Sequence, residues 1–133
     1  MYLWALERAK TSKTPVYTYF FTQAIPWPEH PEFGAFHSGE LPYVFRNFAL
    51  MQHPFGPADF KTSDLISAYW KAFASTGDPN AGPLPRWPAV TGTSAETMEI
   101  GTHTGTIPAA SEEKLQFWKA YFNSDLGKNG SMF

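Results

Sequence analysis

The 133-residue sequence contains no cysteine, which excludes disulfide bonds, thiolate catalysis and cysteine-based zinc sites. Its ten Lys and Arg against twelve Asp and Glu give a net charge of −2. No stretch concentrates positive charge into a stripe that could follow phosphates, and no apolar run approaches the roughly 20 residues that a membrane span needs. The sequence therefore predicts neither nucleic acid as a partner nor a membrane span.

Nothing in the sequence assigns a compartment. Residues 1–4 lack the basic and apolar zones of a signal peptide. The absence of cysteine does not decide the matter either, because many secreted bacterial proteins also lack it.

Aromatic side chains are abundant for a chain of this length. With 43% hydrophobic and 17% charged residues, the composition excludes a disordered chain. Twelve Phe, five Trp and six Tyr can each bury roughly 150–250 Å², whereas a domain of this size buries only about two thirds of its unfolded surface. We therefore expect part of the aromatic surface to be covered by something outside this chain.

Hydrophobic periodicity and capping residues predict four helices, at residues 1–10, 41–45, 62–75 and 111–123. In the clearest of them, 62–75, Thr62 or Ser63 is the expected N-cap and Gly77 closes the end. Ser111 is the expected N-cap of the last. We expect residues 1–123 to form one segment of a domain and residues 124–133 a flexible tail.

Two strands are predicted, at residues 16–21 and 97–100, and a long proline-rich loop at 24–36. The first strand is apolar on both faces, which is typical of a strand inside a sheet covered on both sides. The second reads as a short edge-like strand. A lone buried strand cannot satisfy its edges, so its neighbours are expected on another stretch of polypeptide.

His37 is the main candidate for chemistry. Small residues flank it, Ala35 before it and Ser38 and Gly39 after it, and these allow the backbone to bend sharply. Glu40 follows three residues later, on the same side if the turn is helical. From the residues alone, a loop histidine is more often a surface or hydrogen-bonded side chain than a general base. Both interpretations of His37 stay open at this point.

No second catalytic or metal-binding pattern is present. The other histidines, at 30, 53 and 103, lack the HxxxH or HxH spacing of metal ligands. Neither a Gly-x-Ser-x-Gly elbow nor a glycine-rich phosphate loop occurs. The sequence thus predicts no metal and no cofactor.

Several motifs in the correct order resemble the C-terminal part of type B carboxylesterases, the cholinesterase-like α/β-hydrolases. They lie at residues 16–20 (VYTYF), 34–45 (GAFHSGELPYVF), 68–80 (AYWKAFASTGDPN) and 87–88 (WP). The resemblance extends from about Pro15 to Phe122. It implies an α/β fold in which this chain supplies a strand, the catalytic-histidine loop and packing helices, so that its sheet is incomplete on its own.

By this resemblance, His37 aligns with the histidine of the family's Ser-Glu-His triad and acts as the general base on a small-molecule carboxylic ester. Glu40 matches a family carboxylate that is a buried structural partner rather than the triad acid, and Ser38 and Gly39 would support the site. In the family, the serine elbow, oxyanion-hole glycines and acid all precede this segment. They would lie on upstream polypeptide, and the isolated chain is expected to be inactive.

The resemblance also carries a departure and two alternatives. Arg46 stands where the family commonly has glycine after the Val-Phe pair. Instead of an esterase part, the chain could be a non-catalytic cholinesterase-like interaction module, or could self-associate as a homo-oligomer through exposed apolar surface. Family members are often secreted or periplasmic. The ester substrate and the oligomeric state are not readable from the sequence.

Overall fold

The computed structural model describes residues 2–93 and 96–129. These residues form five helices and three strands, together with 3₁₀ turns at Pro31–Phe33 and Phe48–Leu50. In chain order the elements are α1 (Tyr2–Thr11), β1 (Tyr19–Phe21), α2 (Leu41–Val44), α3 (Pro57–Thr76), β2 (Glu96–Ile100), β3 (Thr104–Pro108), α4 (Glu112–Asn123) and α5 (Asp125–Asn129).

The three strands form one mixed sheet in the order β1-β2-β3. β1 runs parallel to β2, with Tyr19 opposite Met98, and β3 runs antiparallel to β2. Within the part of the chain that the structure describes, β1 is therefore paired along one edge only. Such a partial sheet fits the expectation of an incomplete fold.

The prediction of an edge-like strand at residues 97–100 is wrong, because β2 is the central strand and its Met98 and Ile100 are completely buried. The sequence did not predict β3, whose residues TGTIP lack the apolar alternation of a half-buried strand. Of the predicted strand 16–21, only Tyr19–Phe21 is regular, and Val16 makes an isolated bridge to Val90.

Helix α3 packs on the sheet through Ile66 and Tyr69, both fully buried. It begins at Pro57, earlier than predicted, because proline suits the first helical position and Gly56 precedes it in an extended conformation. The predicted caps, Thr62 and Ser63, lie inside the helix, and their side chains bond to other segments.

The other helix ends follow the prediction more closely. Gly77 ends α3 in the left-handed conformation at φ 77°, and Ser111 caps α4 by accepting a hydrogen bond from the Lys114 N–H. Part of the segment predicted as a flexible tail forms α5. Residues 130–133 lie outside the described residues.

Several large apolar side chains are exposed to solvent on β1 and α3. Phe20 on β1, which was predicted to lie between two covered faces, is 60% exposed. Trp70 and Phe73, both on α3, are 42% and 46% exposed. The aromatic surplus seen in the sequence is therefore present as exposed surface.

Candidate active site

His37 opens a tight turn, residues 37–40, that leads directly into α2. Its imidazole is exposed, and among the described residues it has no hydrogen-bond partner and no ion pair. The turn depends on its small residues. Ser38 adopts φ 68°, in the left-handed region that disfavours large or branched side chains.

Gly39 is the buried residue of this turn. Its N–H donates to the carbonyl of Phe36 over 2.9 Å. A Cβ at this position would lie 2.9 Å from that same carbonyl oxygen and 3.4 Å from Cδ1 of Ile25. Glycine is thus required by close packing, since any side chain would push the turn away from the core.

Glu40 connects the turn to β1. It is half-buried, and its carbonyl accepts the N–H groups of Tyr43 and Val44 in the first turn of α2. Burial and the negative charge of Glu40 nearby raise the pKa of Tyr19 to about 12. The carboxylate therefore lies near β1, a position suited to structural support of the turn.

Two other histidines, one in the loop before His37 and one in the loop before α3, belong to a single aromatic cluster. The rings of Trp27 and His53 lie 4.9 Å apart, and His30 stacks on Phe33 at 4.8 Å. His30 also lies 3.1 Å from the carboxylate of Glu32. Within residues 2–93 and 96–129, no group of three His, Asp or Glu side chains is arranged to hold a metal ion.

Asp59 is the centre of a buried polar network that sequence reasoning missed. Its Oδ1 accepts hydrogen bonds from the Tyr43 hydroxyl (2.7 Å) and from Nε2 of Gln23 (3.1 Å), and its Oδ2 accepts the N–H of Gly56 (2.9 Å). Burial and the neighbouring Asp59 carboxylate hold the pKa of Tyr43 well above its usual range. The sequence offers one signal for this network, an acidic residue two positions after Pro57. A carboxylate in the first turn of a helix can accept hydrogen bonds from the free N–H groups there.

An apolar cavity of about 220 Å³ opens between β1 and α3. Its walls are aromatic apart from one proline, and are formed by Tyr17, Tyr19, Tyr69, Trp70, Phe73, Pro79 and Trp87. Tyr19 faces this cavity and also lies near Glu40 in the His37 turn. The cavity and the turn are therefore adjacent.

A model of the carboxylesterase family matches residues 2–118. The chain belongs to the carboxylesterase family. This membership confirms the family found in the sequence motifs, and the C-terminal placement of the segment stays a prediction. The three-stranded sheet and its helices are therefore part of an α/β-hydrolase fold.

Individual carboxylesterases show the same relationship. The chain is 36% identical to mouse (Mus musculus) bile salt-activated lipase over 124 residues, which are 86% of this chain and 20% of that protein. It is 32% identical to human (Homo sapiens) cocaine esterase over 112 residues, which are 81% of this chain and 20% of the relative. A thermophilic PNB esterase superposes with a TM-score of 0.65 and 29% identity, over 77% of this chain and 21% of that structure.

The chain thus spans about a fifth of the length of the carboxylesterases that it matches.

Among the described residues, no helix is both long and apolar enough to cross a membrane. The predicted site residues His37, Ser38, Gly39 and Glu40 lie together in one turn, and among the described residues no serine or carboxylate forms a hydrogen bond or an ion pair with the His37 ring.

Proposed function

We propose that this carboxylesterase chain is the C-terminal part of a carboxylic ester hydrolase, in which His37 is the general base of a Ser-Glu-His triad. The serine and the acid would lie on upstream polypeptide. One observation carries the proposal: the His37 imidazole projects, exposed, from a turn whose following residues, Gly39 and Glu40, are fixed against the core and β1.

In this role the imidazole of His37 takes the serine proton while the serine oxygen attacks the ester carbonyl. It next gives that proton to the leaving alcohol as the acyl-enzyme forms. It then removes a proton from water, whose oxygen attacks the acyl-enzyme, and it returns that proton to the serine oxygen as the acyl–serine bond breaks and the carboxylic acid leaves. The substrate class is a small-molecule carboxylic ester, and neither a metal nor a cofactor takes part in these steps.

The supporting residues have distinct roles in the proposal. Ser38 and Gly39 allow the turn to place the imidazole at the end of a sharp bend. Glu40, which lies near Tyr19 of β1, supports the turn and is not the triad acid. A separate carboxylate would orient the Nδ1–H of His37, as a triad requires.

The test is His37→Ala in the esterase that contains this chain, assayed with a short p-nitrophenyl ester. We expect kcat to fall at least about 10³-fold, as for loss of a triad member, while the circular dichroism spectrum is unchanged. His30→Ala, a loop histidine that is also exposed, is the matched control and should retain full activity. Activity of folded His37→Ala within tenfold of the wild type would refute the role of His37.

The 133-residue chain alone should show no turnover above background imidazole chemistry. Turnover that disappears in His37→Ala would place a nucleophile within this chain, and the division of the triad between two stretches of polypeptide would then be wrong.

The exposed aromatic surface supports a second candidate, self-association of the chain as a homo-oligomer. Phe20, Trp4 and Phe45 are each at least 60% exposed, and apolar patches beyond a few hundred Å² are rare in monomers. Light scattering at tens of micromolar tests this candidate. A species with the mass of one chain counts against it.

A further inference from the structure

We propose that Asp59 is a positioning residue that clamps together the two ends of the segment carrying His37. The catalytic half of this inference rests on the function proposed above, whereas the clamp itself is a property of the fold. The segment leaves the sheet at Gln23, just after β1, and returns to regular structure in α2 at Tyr43.

A single carboxylate oxygen joins the two ends. Oδ1 of Asp59 accepts from Nε2 of Gln23 at 3.1 Å and from the hydroxyl of Tyr43 at 2.7 Å. Asp59 is only 6% exposed, and Tyr43 is completely buried. Hydrogen bonds to a charged acceptor are stronger than neutral ones, and a buried group left without its partner is strongly unfavourable.

The same helix contacts both ends a second time. Oγ of Ser63 donates to the carbonyl of Tyr43 at 2.7 Å, and Oγ1 of Thr62 donates to Oε1 of Gln23 at 3.4 Å. The first turns of α3 therefore contact each end of the segment through two side chains.

Asp59 is itself fixed by its place in α3. Its Oδ2 accepts the N–H of Gly56, and its charge lies in the first turn of a 20-residue helix, where the helix dipole favours an anion. Tyr43 remains a proton donor because burial and Asp59 hold its pKa far above neutral pH. The clamp is thus built on the first turn of a 20-residue helix.

Between the clamped ends, the chain has little regular structure. Residues 24–40 contain only the 3₁₀ turn Pro31–Phe33, and most of their side chains are exposed. Within the segment, Ile25 and Gly39 are buried and lie close to each other. The position of the His37 ring therefore depends on this contact together with the two clamped ends. A misplacement of about 1 Å in an active site can lower the rate about 100-fold.

Tyr43→Phe tests the clamp, because it removes one hydroxyl and leaves the buried ring in place. In the esterase that contains this chain, we expect kcat to fall about 10- to 100-fold with KM within twofold of the wild type. Thr97→Val is the control, since it removes another side-chain hydrogen bond, from the Thr97 hydroxyl to Oγ1 of Thr18 at 3.0 Å, outside the segment. The control should change kcat less than twofold.

Hydrogen exchange gives a readout that does not depend on activity. In Tyr43→Phe, amides in residues 24–42 should exchange at least tenfold faster, while those of β2 and β3 keep their wild-type rates. Asp59→Asn should give an intermediate effect, because its amide oxygen can still accept from Tyr43 but its amide nitrogen cannot accept from Gly56.

The outcomes are distinct. Equal acceleration in the segment and in β2–β3, or no acceleration at all, would overturn the clamp. Faster exchange in the segment with an unchanged kcat would overturn the positioning role of Asp59. Full activity of His37→Ala would instead refute the proposed function, and the exchange data would still decide whether the clamp exists.

Discussion

The guanidinium of Arg46 lies 2.7 Å from the carboxylate of Asp64, although the backbone of Arg46 is held at φ 54°. Arg46 follows the last residues of α2, and the N–H of Asn47 bonds back to the carbonyl of Pro42, as in a Schellman motif. This motif places its left-handed residue where glycine is preferred. The left-handed conformation therefore explains why the family commonly has glycine at this position.

Replacing Arg46 with glycine should stabilise the protein. The left-handed conformation costs about 1–2 kcal/mol for a residue with a Cβ, whereas an exposed ion pair contributes about 0–1 kcal/mol. Both side chains of the pair are 62% exposed. We expect Arg46→Gly to raise the free energy of unfolding by about 0.5–1 kcal/mol in urea titrations.

Salt separates the two contributions to this change. In 1 M salt the ion pair is screened, so the gain from Arg46→Gly should grow, and Asp64→Asn should become neutral. A lower stability of Arg46→Gly than of the wild type in high salt would show that the left-handed backbone is not strained.

Gly101, at the end of β2, should not tolerate a side chain. A Cβ there would lie 2.3 Å from Oγ1 of Thr22 and 2.6 Å from the backbone nitrogen of Gln23. We expect Gly101→Ala to lower the free energy of unfolding by about 1–3 kcal/mol, as overpacking does. Gly105→Ala is the control, because no atom lies within 4 Å of its added Cβ. Equal stabilities of the two variants in urea would contradict the crowding at Gly101.

Stability should fall at high pH because of Tyr19. Its pKa is raised from 10.0 to about 12 by burial and by Glu40. Between these values the unfolded chain loses a proton that the folded protein keeps, so the free energy of unfolding decreases as the pH rises from 10 to 12. Below pH 10 the contribution of Tyr19 is complete.

Two variants isolate this titration. Tyr19→Phe has no phenol to ionise, so its stability should fall less steeply between pH 10 and 12. Glu40→Gln keeps the phenol but removes the negative charge, and should give an intermediate slope. Identical slopes for all three proteins in urea titrations would assign the alkaline loss to other groups.

Features that depend on neighbouring residues could be predicted from the sequence. Ser111 caps α4, Gly77 ends α3, and the Leu-Pro pair at 41–42 opens α2, because each depends on a few adjacent residues. The start of α3 was misplaced because two polar residues, Thr62 and Ser63, looked like caps. They are used instead for contacts between segments.

The candidate site divides in the same way. His37 was found because the motif around it is contiguous. The Asp59 network was missed because Gln23, Tyr43 and Asp59 belong to separate parts of the chain, and no local pattern records their contact. The central place of β2 was missed for the same reason, since its partners include a parallel strand far away in the sequence.

The parallel pairing of β1 with β2 sets the order in which the chain can fold. Thr18 and Thr97, whose hydroxyls bond beside the first paired residues, are 79 positions apart, so the ends of a long loop must meet before the sheet forms. On a ribosome, β1 emerges well before its partner strand. Its apolar side chains and the backbone groups that pair with β2 are therefore open to chaperones, or to other nascent chains, until the residues of β2, 79 positions later, have been synthesised.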